Sequence, residues 1–372
     1  MQSNFLFTIL LIVMNFTVFN NCSAFGKDPF GAHQEKIQKS PNFDSTKEQF
    51  VNRRPNILDE MREKQNMLSL TWKFFFGGSD YKTPTEKLPE VKPDMVEFLK
   101  PSDGIKFIWF GHSSFLVNID GKILLFDPVF SESAAPFSFI VKRFQDAVIK
   151  LEELPNIDYI IISHDHYDHL DMETIQFFAE KQTKFITPLG VTSHIKDWGI
   201  AEDRLMELDW WESLNIGGVE IVCTPAQHFS GRKCSNGNKT LWGSWVIIGK
   251  SERFYFSGDS GYDVHFKNIG DKYGPFEIAF IENGQYNELW REVHVLPEET
   301  GQAFLDLKGK RLVPVHWGMF DLSLHSWYEP IEELEKQAEL KNINLLTPKF
   351  GQIVYTKRDN IFERWWKAFL SN

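Results

Sequence analysis

From about residue 105 onward, the chain alternates between short apolar runs and clusters of turn residues. The stretch "IKFIWFGHSSFLVNIDGKILLFDPVF" reads as three strands, the second and third joined at Asp120-Gly121, a two-residue hairpin signal. Further strands are expected at "IDYIIIS", "KFITP", "VEIVCTPA", "WGSWVIIG", "RFYFSG", "IAFIE", "RLVPVHW" and "QIVYT". Helical spacing separates some of them. "DMETIQFFAEK" places Met172, Ile175, Phe178 and Ala179 on one face, and "PEETGQAFLDLK" and "PIEELEKQAELK" each open with proline in the first turn. Strands in runs with interspersed helices predict two packed sheets flanked by helices, an α/β sandwich.

The N-terminal part follows another pattern. An almost unbroken apolar run from Phe5 to Phe19 is shorter than the roughly 20 residues of a membrane-spanning helix. It ends in small and polar residues, the profile of a cleaved export signal over 1–22, although "MQSN" lacks the usual positive charge. Cys22, followed by Ser and Ala, fits a bacterial lipoprotein processing site; ordinary cleavage near Ala24 is the alternative. Export to the bacterial periplasm, or attachment to the cell envelope membrane through an N-terminal lipid, is therefore expected. Residues 23–100 are polar and turn-rich around one helix near Asp59 to Phe75, and read as an extension packing on a main domain over 101–372. Within it, "LSLTWKFFFGG" reads as an aromatic face laid on that domain rather than on a membrane.

Composition narrows the function. A chain of 372 residues with 42% hydrophobic content can bury a large core. The net charge of -11, with no lysine and arginine cluster to track a phosphate backbone, argues against nucleic acid and leaves a small phosphorylated substrate open. Three cysteines imply no disulfide framework, and Cys223, inside "VEIVCT", reads as a buried apolar residue.

The chemistry concentrates at "SHDHYDHLD", directly after an apolar run. Three of the chain's 11 histidines, His164, His166 and His169, fall there together with Asp168. In extended chain His164 and His166 point the same way and can grip one ion. Asp168 and His169 follow where the chain turns and could face a second. Imidazole and carboxylate suit zinc, and two metals about 3.5–4 Å apart form a clamp for hydrolysis. Further ligand-type residues stand just beyond other strands: His228 in "CTPAQHFSGR", Asp259 in "FYFSGDSGY" and His316 in "LVPVHWGMF".

Together "GHSSFLV", "SHDHYDHLD", "ELDWWE", "TPAQH", "LWGSW", "GDSGY", "PEET" and "HWGMF" resemble the metallo-β-lactamase superfamily, hydrolases with an αββα four-layer sandwich, from Ile105 to Thr356. Within it the chain is similar to the branch of N-acyl-phosphatidylethanolamine phospholipase D, with the L-ascorbate-6-phosphate lactonases further away. The resemblance implies two zinc ions per chain sharing an activated water. His164, His166 and His228 would hold the first, Asp168, His169 and His316 the second, and Asp259 would bridge them. Asp168 and Asp259 are then the catalytic carboxylates, Asp168 also orienting the nucleophile. Asp127 and His112 are expected to support the ligands by hydrogen bonds. His294 and His325 are candidates to hold a phosphate or an alcohol leaving group. Glu282 and Asn283 stand in "IENGQYNE", where the phospholipase branch is more apolar, and favour a more polar pocket. The reading is a zinc-dependent phosphodiesterase acting on a small or phospholipid-like substrate. Lactone or other ester hydrolysis is the alternative, and a non-catalytic envelope protein with structural metal the competing class.

Overall fold

The protein, seen in a computed structural model, is described over residues 23–64, 66, 72, 77–233, 237–358, 360 and 362–370. The apolar leader at 1–22 with Cys22, most of "LSLTWKFFFGG", and Cys234 lie outside the described residues. Among the strands, a small hairpin of β1 (Phe43–Asp44) and β2 (Gln49–Phe50) comes first. Two large mixed sheets follow. The first contains β3 (Lys106–Gly111), β4 (Ser114–Ile119), β5 (Lys122–Phe126), β6 (Tyr159–Ile161), β7 (Lys184–Pro188) and β8 (Leu205–Leu208). The second contains β9 (Ser213–Asn215), β10 (Glu220–Thr224), β11 (Ser244–Ile248), β12 (Arg253–Phe256), β13 (Ile278–Glu282) and β14 (Leu312–Val315). Strand β15 (Ile353–Tyr355) returns to the first sheet, giving the orders β15-β3-β4-β5-β6-β7-β8 and β14-β13-β12-β11-β10-β9.

Each sheet is built on one plan, an antiparallel meander continued by parallel strands. The hairpin β4–β5 turns at Asp120 and Gly121, both at positive φ (50° and 78°), with Ile119 opposite Lys122. Strands β5 to β8 are parallel neighbours, as are β12 to β14. Parallel neighbours need a crossover, and helices supply most of these. Met172–Phe177 and Thr192–Asp197 serve the first sheet, His265–Tyr273 and Pro297–Asp306 the second, and Glu329–Lys341 follows β14.

Successive side chains of a strand face opposite ways, so strands apolar on both sides must be covered on both. Phe107 and Trp109 of β3, with Leu124 and Phe126 of β5, join a central cluster with Ile221, Trp245, Phe254 and Phe280 of the second sheet. Their neighbours Ile108, Phe110, Ile123 and Leu125 turn outward onto Ile175 and Ile195 of the helices. On the second sheet Val222, Val246 and Ile281 pack against Phe266, Ala303 and Leu334 in the same manner. The layers therefore run helix, sheet, sheet, helix. Cys223 is wholly buried in the central cluster.

Strands β8 and β9 carry no strand signal in the sequence. Both are sheet edges, and β9 (Ser213–Asn215) is polar and largely open to solvent. In the extension, Ile57–Glu63 is helical where a helix was expected to begin, and Ala32–Gln38 and Met95–Leu99 add two short helices. Among the described residues no helix is long and apolar enough to cross a membrane.

Candidate metal centre

The parallel strands of each sheet run in one direction, so their carboxyl ends reach one edge of the sandwich, where open α/β sheets place their ligands. His164 to His169 follow β6, His228 follows β10, Asp259 follows β12 and His316 follows β14, while Glu282 ends β13 and Asp127 follows β5. His112 occupies the turn between β3 and β4. Its carbonyl accepts the N–H of His316 (2.9 Å) and its own N–H meets the carbonyl of Trp317 (3.0 Å), tying the tips of the two sheets together. His112, Asp127 and His316 all have positive φ (50°, 36° and 68°), a conformation that costs about 1–3 kcal/mol each where the residue is not glycine. Such strain persists only where the surroundings enforce it, and the three cases cluster at this edge. Gly258, at φ 55°, lets Asp259 in: a Cβ there would lie 2.7 Å from Cβ of Ser163 and 2.8 Å from the carbonyl oxygen of Gly243.

Two groups of ligand atoms face each other, and a third, of Asp259, Glu282, His294 and His316, overlaps them. His164, His166, His228 and Asp259 offer atoms that all lie within 4.8 Å of one another, and so do His112, Asp168, His169 and His316. Asp259 joins the two. Its Oδ2 is 3.8 Å from Nε2 of both His164 and His228, and 3.1 Å from Nε2 of both His169 and His316. In the second group Oδ2 of Asp168 lies 2.9 Å from Nε2 of His112, 3.2 Å from His316 and 3.5 Å from His169.

Hydrogen bonds on the far side of each ring decide which nitrogen faces inward. Nδ1 of His169 donates to Oδ2 of Asp127 (2.7 Å), and Nδ1 of His228 donates to the carbonyl of Val293 (3.0 Å). Ser163 links two of these supports, because its hydroxyl donates to Asp127 (2.5 Å) and accepts from Nδ1 of His164 (2.9 Å). His164 and His228 are thereby left with Nε2 lone pairs, aimed at Nδ1 of His166 from 2.8 and 3.2 Å. A proton on that nitrogen could satisfy only one of the two lone pairs; without it three lone pairs converge, the arrangement that a bound cation satisfies. Nε2 of His169 and Oδ1 of Asp259 are buried without hydrogen-bond partners, as ligand atoms would be. Each of these two groups offers three imidazoles and one carboxylate, a donor set suited to zinc.

Charge points the same way. Burial opposes ionisation of Asp259 and Asp168, yet the neighbouring imidazoles, His169 foremost, hold both carboxyls well below the usual range. Burial likewise opposes protonation of His169 and His316, and the carboxylates, Asp259 foremost, overcome it and push both well above the usual imidazole range. Desolvation and the surrounding rings drive His164 well below it. The same two causes, with His316 the nearest ring, bring His112 down to about 3. The pocket thus collects positive charge at its second group and bare nitrogen lone pairs at its first.

The residues read as supports or substrate contacts are spread more widely. Asp127 braces His169 and Ser163, while His112 stands among the ligand atoms themselves, its ring 4.2 Å from that of His316. His294 lies at the rim, its ring stacked 5.2 Å from His316 and its Nδ1 donating to Oε2 of Glu282 (2.7 Å). His325 is in none of these groups; its Nδ1 meets the carbonyl of Ser326 and its ring lies against Tyr286. Glu282 brings its carboxylate to Asp259, His294 and His316, in keeping with a polar pocket, and Asn283 follows it in the chain. Both are wholly buried: Glu282 takes the N–H of Ser260 as well as His294, and Asn283 donates to the carbonyl of Pro330 (2.7 Å). Sequence reasoning also missed Ser163, Asn52 and Arg232. Glu282 carried the strand-tip signal that picked out the other ligand-type residues.

The family model of the β-lactamase superfamily domain matches residues 122–317. An uncharacterized protein of Mycobacterium tuberculosis is 37% identical over 335 residues, 89% of this chain and 88% of that protein. N-acyl-phosphatidylethanolamine-hydrolyzing phospholipase D 1 of Caenorhabditis elegans is 35% identical over 293 residues, 74% of this chain and 82% of that protein. A solved metallo hydrolase from the archaeon Ignicoccus hospitalis shares the fold, with a TM-score of 0.54 at 20% identity over 68% of this chain and 99% of its own. With its ligand-type residues on the strand tips of a four-layer sandwich, the chain belongs to the metallo-β-lactamase superfamily of hydrolases and is related to enzymes of the N-acyl-phosphatidylethanolamine phospholipase D type.

Proposed function

We propose that the chain is a phosphodiesterase of the phospholipase D type that works with two zinc ions, using His164, His166 and His228 for one, Asp168, His169 and His316 for the other, and Asp259 for both. The observation that carries this reading is the convergence of two His/Asp groups on the single carboxylate of Asp259. The relationship to the nematode phospholipase over 82% of that protein supports the choice of bond. Zinc bound there would supply Lewis acidity, bringing the pKa of water to about 7 and offsetting the charge that builds on the phosphoryl oxygens.

The chain's own residues supply the rest. Asp168 is the more open of the two carboxylates, with 14% of its side chain exposed against 2% for Asp259, so it can accept a hydrogen bond from the attacking water and aim it. Glu282 fixes the ring of His294 by accepting its Nδ1 proton, which leaves Nε2 of the neutral ring to accept a hydrogen bond from a water or a substrate hydroxyl at the rim.

The zinc-loaded protein is expected to hydrolyse bis-p-nitrophenyl phosphate and N-acyl-phosphatidylethanolamine, and to turn over a panel of lactones at least tenfold more slowly. Lactones cleaved faster than both phosphodiesters would move the activity to ester hydrolysis. Zinc uptake without turnover of any of them would leave a structural metal protein.

A further inference from the structure

Residues ahead of the sandwich reach the metal centre from outside, at two separate places. The first is Asn52, which is 5% exposed. Its side-chain amide donates to the carbonyl of His228 (2.8 Å) and its Oδ1 accepts the N–H of the same residue (3.0 Å). His228 lies in a loop beyond β10, where no strand neighbour takes up its backbone groups, and buried backbone groups need partners. Asn52 supplies both at once. These two hydrogen bonds hold the backbone on both sides of the His228 Cα, and the Nδ1 bond to Val293 orients the ring, so together they set the direction of Nε2. Asn52 is itself held on either side. The N–H of Phe50 bonds to the carbonyl of Asn238 (2.8 Å), and Arg53 forms a two-pronged ion pair with Asp263.

The second place is Arg232, also 5% exposed. One terminal nitrogen donates to the carbonyls of Asp165 (2.7 Å) and Leu170 (2.8 Å), the two ends of the loop that carries His166, Asp168 and His169. The other edge of the guanidinium takes the carbonyl of Ala24 (2.7 and 2.9 Å). The plane packs between the rings of Tyr167 and Trp198, 4.0 and 5.0 Å away, and the indole N–H of Trp198 holds the carbonyl of Ser23 (2.7 Å). The loop ends and Ala24 are thus joined through one planar cation, a geometry lysine cannot reproduce.

We propose that the segment from Ser23 to Arg53 is a clamp that presets the metal-bearing loops, with Asn52 the positioning residue of His228. The proposal rests on the two-zinc reading given above. Its consequence is selective, because His228 belongs to the group with His164 and His166 and not to the group with Asp168 and His316. Loosening Asn52 should weaken one zinc and spare the other.

Zinc affinities of the full chain, measured by competition with a chromophoric chelator, test this. In Asn52→Ala one of the two zinc dissociation constants should rise at least tenfold, the scale seen when a support behind a ligand is lost, with the other unchanged within twofold. Thermal unfolding of the metal-free variant should remain a single cooperative transition. Should Asn52→Ala not fold, Asn52→Ser, which puts one hydroxyl in place of the carboxamide, gives the same readout. Unchanged affinities, or an equal loss at both sites, would overturn the clamp while leaving the two-zinc reading intact. A wild-type chain that takes up fewer than two zinc ions would overturn that reading and the clamp with it.

Discussion

Asp259→Ala is expected to lower phosphodiester hydrolysis by about 10³-fold or more, on the scale of other single removals from a preorganised site. The variant should also purify with fewer than two metal ions per chain. The reason lies in the position of one oxygen. Oδ2 of Asp259 sits within 3.8 Å of Nε2 of His164 and His228 and within 3.1 Å of Nε2 of His169 and His316, so this one carboxylate oxygen serves both clusters. Without it, four buried imidazoles lose their shared anion, and each cation would face a shell short of one negative ligand. Asp259→Asn separates charge from shape, since the amide fills the same space but cannot neutralise a dication. It should behave like the alanine variant in turnover and lie closer to wild type in stability. Metal quantification beside turnover decides the matter: hydrolysis retained within tenfold would remove Asp259 from the mechanism. Loss of stability in a protein that never had activity would favour a purely structural metal.

The second large effect concerns Asp127, which touches no substrate. Asp127→Ala is expected to cost about 3–5 kcal/mol of stability in the metal-free protein, the range for breaking a buried charged network by removing one partner. It should also weaken metal binding roughly 10–100-fold. Its carboxylate is wholly buried and accepts the N–H of Ser163 (2.7 Å), the hydroxyl of Ser163 (2.5 Å) and Nδ1 of His169 (2.7 Å). Three donors would be left facing an apolar gap. The ring of His169 would lose the bond that fixes its tautomer, and Ser163, which also steers His164, would lose its own partner. Urea unfolding of the chelator-treated protein gives the stability loss and a chelator titration gives the affinity loss. A variant as stable as wild type would show that this network is dispensable.

Much of this molecule could be read from local patterns, for a physical reason. The strands β3 to β5 announce themselves because both faces are buried between a second sheet and helices, so their sequences are continuous apolar runs, and Asp120-Gly121 allows only a tight hairpin between them. The ligand-type residues were legible because function at a sheet edge places them just past an apolar run, as at His164, His228, Asp259 and His316. Edge strands escape that logic. Ser213–Asn215 is polar because only one neighbour and no covering layer constrain it. Glu282 obeyed the strand-tip pattern and was read only as a pocket residue, since sequence does not reveal that its carboxylate also holds Ser260 and His294. Asn52 left no trace at all. Its partner, His228, is 176 residues away, and an asparagine in a turn-rich segment looks like any other turn residue.

The central claim is that two cations sit between strand tips of the two sheets and share Asp259. Anomalous diffraction at the zinc edge from crystals of the zinc-loaded protein tests it most directly. Two peaks about 3.5–4 Å apart are expected, one among His164, His166 and His228, the other among Asp168, His169 and His316, with Asp259 between them. A single peak, or zinc bound only away from these residues, would contradict the account.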